Sequence, residues 1–279
     1  MRDSRKGGYG KISITEIFER SSNTGMVQAI YNEYNTKPEQ FVNRLMNMGL
    51  SEPLGLPIVG EAKPVIPHPD KKGWSGISLP WMAYGYGVLM TPMQTLTFYN
   101  AVANDGVMIR PRFIEGTQNT RSQIKKQSEV EIINPSICSK ETIGKVKSML
   151  KGVVEKPWGT AHNIYDPNFA ISGKTGTCQL DYNTDEVQYV ASFVGYFPSD
   201  IPKYSCIVVI HRPDKEKGYF GNQVAAPVFQ TIAHKLYSSI PRDTKLSRDL
   251  YLEITGNKNE TNQSVVEADV KLTKIQKKS

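Results

Sequence analysis

A chain of 279 residues with 39% hydrophobic content can enclose one large core or two small ones. The net charge is +7, and the lysines and arginines are dispersed rather than gathered into a stripe with aromatics. A nucleic-acid role is therefore unsupported, and an anionic polymer or membrane surface is favoured only weakly.

Cys138, Cys178 and Cys206 lie far apart, and His68, His162, His211 and His234 show no ligand spacing. No disulfide framework, metal site or cofactor is expected. No apolar run reaches the roughly 18 residues that a membrane helix needs. After Met1 the residues Arg2 to Lys6 lead into no signal-peptide core, so the chain opens as a fragment would.

Ser13-Ile14-Thr15-Glu16 reads as a capping box that opens a short helix through Ile17 and Phe18. Ser21-Ser22-Asn23 then links it to a second helix, with Met26, Val27, Ile30, Tyr31 and Tyr34 at helical spacing. Taken alone, that link is an ordinary helix cap. Pro38 starts a third helix that turns Phe41, Leu45 and Met48 inward and stops at Gly49. Residues 51–76 are rich in Gly and Pro and predict a long surface loop, with Trp74 and Trp81 near its end. Thr91-Pro92-Met93-Gln94 is a second capping box, opening a helix that buries Leu96, Tyr99, Val102 and Ala103 and ends at Asp105-Gly106. Val107 to Phe113 reads as a short strand or extended arm.

Ser139 caps a helix carrying Ile143, Val146, Met149, Leu150, Val153 and Val154. Two formal Ser-x-x-Lys matches fall nearby, at Ser122 and Ser148, and composition alone predicts about two. At about 100° per residue Ser148 points into water, whereas a nucleophile must be packed beside its base.

Ile171-Ser172-Gly173-Lys174-Thr175-Gly176-Thr177-Cys178-Gln179 is the centre of the chain. Phe169, Ala170 and Ile171 lead in as an incoming strand, and on a strand Thr175 and Thr177 share one face. Gly176 between them admits a close backbone or ligand. A cation, two hydroxyls and free N–H groups suit an anionic, peptide-like ligand. A Gly-rich turn with a solvated lysine would use the same residues. A phosphate loop fits poorly, because Asn168 stands where its first glycine belongs and no helix pattern follows. Tyr189 to Phe197 and Tyr204 to Ile210 read as two more strands, joined by a Pro-Ser-Asp-Ile-Pro loop. With the Lys174 strand they make an antiparallel sheet. Gly221 leads into a helix with Val224, Val228, Ile232, Ala233 and Leu236, placed to pack across that sheet. Residues 241–279 rise in polarity and read as a linker or disordered tail.

In this order, Ser21-Ser22-Asn23-Thr24-Gly25, Tyr84-Gly85-Tyr86-Gly87 with the Thr91 helix start, Ala103-Asn104-Asp105-Gly106, Gly159-Thr160-Ala161, Ser172 to Gln179 and Ala225 to Phe229 resemble the transpeptidase domain of a class B penicillin-binding protein, nearest the cell-division type, over residues 1–240. The resemblance implies an α+β fold, an antiparallel sheet flanked by helices, with the first strands outside this chain. It implies acyl transfer from D-Ala-D-Ala stem peptides through a serine acyl-enzyme, the target of β-lactams. Ser21 would relay protons, Asn23 would hold the substrate amide, and Lys174 would set the local potential and support Ser21. Thr175 and Thr177 would bind the terminal carboxylate across Gly176, and the Thr177 N–H would form half of the oxyanion hole. Stem peptides, a membrane-embedded glycan polymerase and division proteins are the implied partners, at the outer face of the bacterial cytoplasmic membrane.

The Ser-x-x-Lys nucleophile of such enzymes should lie several tens of residues before Ser21, where only twenty residues are present. The chain is thus expected to lack its nucleophile, to form no acyl-enzyme alone and to expose apolar surface. A β-lactam sensor, a β-lactamase-like domain and a non-catalytic wall-peptide-binding module are the alternatives. The 51–76 loop and the Thr91 helix favour the synthase over the β-lactamase.

Overall fold

The computed structural model describes residues 2–118, 125–180 and 187–238. The Ser122 motif and the tail after residue 240 lie outside these residues. Residues up to His234 form one unit, and Lys235–Ser238 finish the last helix.

Helices α1 (Ile14–Glu19), α2 (Asn23–Tyr34) and α3 (Pro38–Asn47) come first. The Ser13/Glu16 box closes as expected: Ser13 Oγ accepts the Glu16 N–H at 3.2 Å, and the Glu16 carboxylate accepts the Ser13 N–H at 3.3 Å. The deepest residue of α3 is Val42, while Phe41, Leu45 and Met48 are only half-buried. No residue of α2 is buried. A short helix α4 (Ser78–Met82) follows the long loop, where no periodicity announced one. In α5 (Pro92–Ala103) the Thr91/Gln94 box is formed on both sides. The arm after it carries β1 (Met108–Ile109), β2 (Gly116–Gln118), β3 (Lys125–Gln127) and β4 (Ile132–Asn134), paired β1 with β4 and β2 with β3. Helix α6 (Lys140–Glu155), capped by Ser139, has Ser148 exposed, as its helical phase requires.

The central sheet is β5 (Ser172–Leu180), β6 (Gln188–Phe197) and β7 (Tyr204–His211), antiparallel in that order. Phe193, Phe197 and Val208 meet Phe229, Ala225, Ala226 and Ala233 on one face. Tyr196 meets Ala101, Val102, Met108 and Leu150 on the other. Each fully buried large apolar side chain contributes about 1.5–3 kcal/mol.

The last helical stretch differs from its expected form. It breaks into α7 (Gly221–Val224) and α8 (Ala226–Ser238), because Pro227 has no N–H and its ring disfavours a continuous helix through the residues before it. It does pack on the sheet, through Ala226, Phe229 and Ala233. Val228 and Ile232 face outward, 43% and 36% exposed. Alanines on either side of Phe229 let the helix backbone approach the strands, which β-branched residues would prevent.

Gly173 and Gly195 pair directly across β5 and β6. A Cβ at Gly195 would lie 2.2 Å from the Ser172 carbonyl oxygen, a backbone atom that cannot move aside. Gly195→Ala is expected to cost about 3 kcal/mol or more, read as a lowered urea midpoint. An unchanged midpoint would show that the strands can separate without loss.

Candidate active site

The site starts at the end of α1. The Ser21 N–H donates to the Phe18 carbonyl at 3.1 Å and the Ser22 N–H to the Ile17 carbonyl at 2.9 Å. These two bonds make a Schellman motif and place Ser21 at the left-handed position usually given to glycine, with φ 53°. The Ser22 side chain then caps α2, accepting the Gly25 N–H at 3.0 Å. Asn23 therefore opens α2, and its position faces the same cleft as Ser21.

Across that cleft runs β5. Lys174 Nζ donates to Ser21 Oγ at 2.8 Å and to the Thr175 carbonyl at 3.2 Å. Burial of the amine lowers its pKa to about 8. The Thr175 and Thr160 hydroxyls are 2.9 Å apart. Thr177 Oγ1 accepts the Gly221 N–H at 3.1 Å. A Cβ at Gly221 would lie 2.6 Å from the Gly176 carbonyl oxygen, so the α7 N-terminus packs directly on β5, while a Cβ at Gly176 itself would lie 2.5 Å from Ser192 Oγ. The Gln179 N–H turns outward to the Tyr86 hydroxyl at 3.0 Å. By the strand period, the N–H groups of Thr175 and Thr177 face the same open edge. Because β5 continues to Leu180, no helix follows Lys174 and a phosphate loop is excluded.

The cleft holds about 630 Å³ and is lined by Ser21, Asn23, Thr160, Thr175 and Thr177. One wall is aromatic: Tyr189 stacks on Tyr219 at 4.2 Å, and Tyr219 lies 4.4 Å from Phe220. Asp3 sits beside the Ser21 turn and accepts from Ser22 Oγ at 3.1 Å and the Thr24 N–H at 3.0 Å. Burial pushes its carboxyl up, but the hydrogen bonds from Thr24 and Ser22 outweigh this and hold it below its ordinary value.

Of the expected site residues, Ser21, Asn23, Lys174, Thr175, Gly176 and Thr177 all come together. Sequence reasoning gave no role to Thr160, Asp3, Tyr86 or the aromatic wall. Tyr86, between Gly85 and Gly87, both at positive φ, carried the one local signal, a chain bent to present a ring.

A three-stranded antiparallel sheet whose edge offers a lysine and two threonines to a Ser-x-Asn turn defines an acyl-transfer fold of the penicillin-recognising kind. Residues 2–234 match the penicillin binding protein transpeptidase domain, and the chain belongs to that family. It is 30% identical to penicillin-binding protein PbpB of Mycolicibacterium smegmatis over 246 residues, covering 84% of this chain and 36% of that protein. It is 26% identical to peptidoglycan D,D-transpeptidase FtsI of Escherichia coli K12 over 255 residues, covering 90% and 39%. The crystal structure of penicillin-binding protein 3 from Mycobacterium tuberculosis superposes with a TM-score of 0.73 at 28% identity, over 85% of this chain and 54% of that one. The same protein has been solved with aztreonam and with ampicillin. The chain spans about a third of the length of the curated relatives, 36% and 35% for the two PbpB proteins.

Proposed function

We propose that this chain supplies the substrate-binding half of a peptidoglycan D,D-transpeptidase of class B, septal type, working at the outer face of the bacterial cytoplasmic membrane with a glycan polymerase and division proteins. The observation that carries it is the 2.8 Å contact from Lys174 to Ser21, two residues 153 apart in sequence, in the cleft that Asn23, Thr175 and Thr177 line. A stem peptide would run antiparallel along the open edge of β5, its terminal carboxylate at the Thr175 and Thr177 hydroxyls. A serine Oγ would attack the penultimate D-Ala carbonyl, with the oxyanion taken by the Thr177 N–H. The C–N bond to the last D-Ala breaks, and Ser21, bridged to Lys174, passes the proton to the departing amine. An acceptor amine on a second peptide then takes the acyl group and releases the serine. The names of the PbpB and FtsI relatives, and the β-lactam complexes of the M. tuberculosis protein, support both the reaction and the inhibitor class.

Ser148 is exposed on α6, outside the cleft. Incubated with a fluorescent β-lactam, these 279 residues are expected to show no covalent band. A band lost in Ser148→Ala or Ser122→Ala would overturn this and place the nucleophile within the chain. That exposed Ser148 also favours a second reading for the chain by itself, a module that binds stem peptide without turnover.

A further inference from the structure

We propose that Glu19 is a positioning residue of the cleft: its carboxylate holds Trp158, and with it the 157–161 loop, at the place where Thr160 meets Thr175. The role presupposes the stem-peptide cleft proposed above.

Glu19 is 2% exposed, the one acidic residue of the core among the described residues. It is the last residue of α1, two before Ser21. Its Oε2 accepts the Trp158 Nε1–H at 2.6 Å. Its backbone carbonyl accepts the Thr160 N–H at 3.1 Å. Side chain and main chain of one residue therefore grip one loop at two points. Two glycines make the fit. A Cβ at Gly152 would lie 2.0 Å from Glu19 Oε1, and one at Gly159 would lie 2.3 Å from the Val153 carbonyl oxygen. The loop thus crosses the end of α6 with no side chain between, and the carboxylate fills the place that Gly152 leaves. The Arg20 guanidinium lies 5.3 Å from the Trp158 ring, on the same corner.

Burying a carboxylate is costly, and an apolar side chain would fill the space at lower cost. It would leave the indole N–H without its acceptor and the loop without its outer anchor. Ser21 meets Lys174 and Thr160 meets Thr175, at successive positions of β5, and Glu19 ties the Ser21 turn to the Thr160 loop. Its displacement moves Thr160 away from Thr175 without touching β5.

The test uses Glu19→Ala, Glu19→Gln, Trp158→Phe and Gly152→Ala. NMR resonances of Thr160 and Thr175 are read without ligand, and the affinity for an acetylated peptide ending in D-Ala-D-Ala is read by titration. Glu19→Gln keeps an acceptor for the indole and is expected to retain wild-type resonances and affinity. The other three are expected to shift both threonines and to weaken the peptide about tenfold. Trp158→Phe removes the indole N–H together with part of a ring that is 39% exposed, so it tests the bond to Glu19 without emptying the core and decides the matter if Glu19→Ala unfolds. A folded Trp158→Phe with unmoved threonine resonances, or a Glu19→Gln as impaired as Glu19→Ala, would overturn the proposal. If the wild type binds no peptide while the threonines still respond, the positioning stands and the stem-peptide reading falls.

Discussion

Lys174→Met is expected to raise the melting temperature at neutral pH and, on the transpeptidase reading proposed above, to lower acyl transfer by about 10²–10⁴-fold. Both effects come from one buried amine. Its pKa falls from 10.5 to about 8, because burial disfavours the charged form. Holding it charged at pH 7 costs on the order of 3 kcal/mol. The hydrogen bonds lost with it are worth about 1 kcal/mol each, and Ser21 Oγ and the Thr175 carbonyl border a wet cleft. The sign with pH is fixed. Between about pH 8 and 10.5 the unfolded chain binds more protons than the folded one, so wild-type stability gains as pH rises through that window. The advantage of Lys174→Met is therefore expected to shrink over the same range in thermal melts. A constant difference would mean that the amine is not perturbed. A bound carboxylate should restore the cation, so peptide binding near pH 8 should take up protons, seen as a buffer-dependent heat that Lys174→Met abolishes.

Ser21→Gly is expected to be more stable than Ser21→Ala by about 1 kcal/mol, although both lose the hydroxyl that receives Lys174. The comparison isolates the backbone. Both variants leave the amine only its bond to the Thr175 carbonyl, but only alanine keeps the strain of φ 53°. A difference of this size moves the midpoint by about 2–4 °C in a domain of this length. Equal midpoints would show that the Schellman turn holds Ser21 without strain. On the proton relay proposed above, both variants are expected to lose acyl transfer to the same degree as each other. Serine at a glycine position and a lysine with a desolvated amine are two local costs, and the 2.8 Å contact between them is what they produce. Gly at 21 with an apolar residue at 174 would make a better helix stop and a better strand, with no chemistry between them.

Much of this was legible along the chain because it is local. The Ser13, Thr91 and Ser139 caps satisfy N–H groups three residues away, and all three formed as their spacing required. Strands β5, β6 and β7 carried their own β-branched and aromatic patterns. The six site residues were named because Lys-Thr-Gly and Ser-x-Asn are each contiguous. Two stripes on α8, however, were both helical in period. Val228, Ile232 and Leu236 were the more hydrophobic, yet the sheet took Ala226, Phe229 and Ala233. Periodicity ranks residues by apolarity, whereas close packing selects by size, and only the distance to Phe193 and Phe197 decides between them.

What the order of residues determined by itself was therefore most of the elements, though neither α4 nor the break before α8, with their caps and the two halves of the cleft. What tertiary structure alone decided was their distance: Ser21 against Lys174, Thr160 against Thr175, Gly221 against Gly176, Trp158 against Glu19. Each of these pairs is separated by 15 to 153 residues. Such a contact leaves no periodic trace, because it depends on how far packed layers approach, and that distance is set by side chains belonging to neither partner.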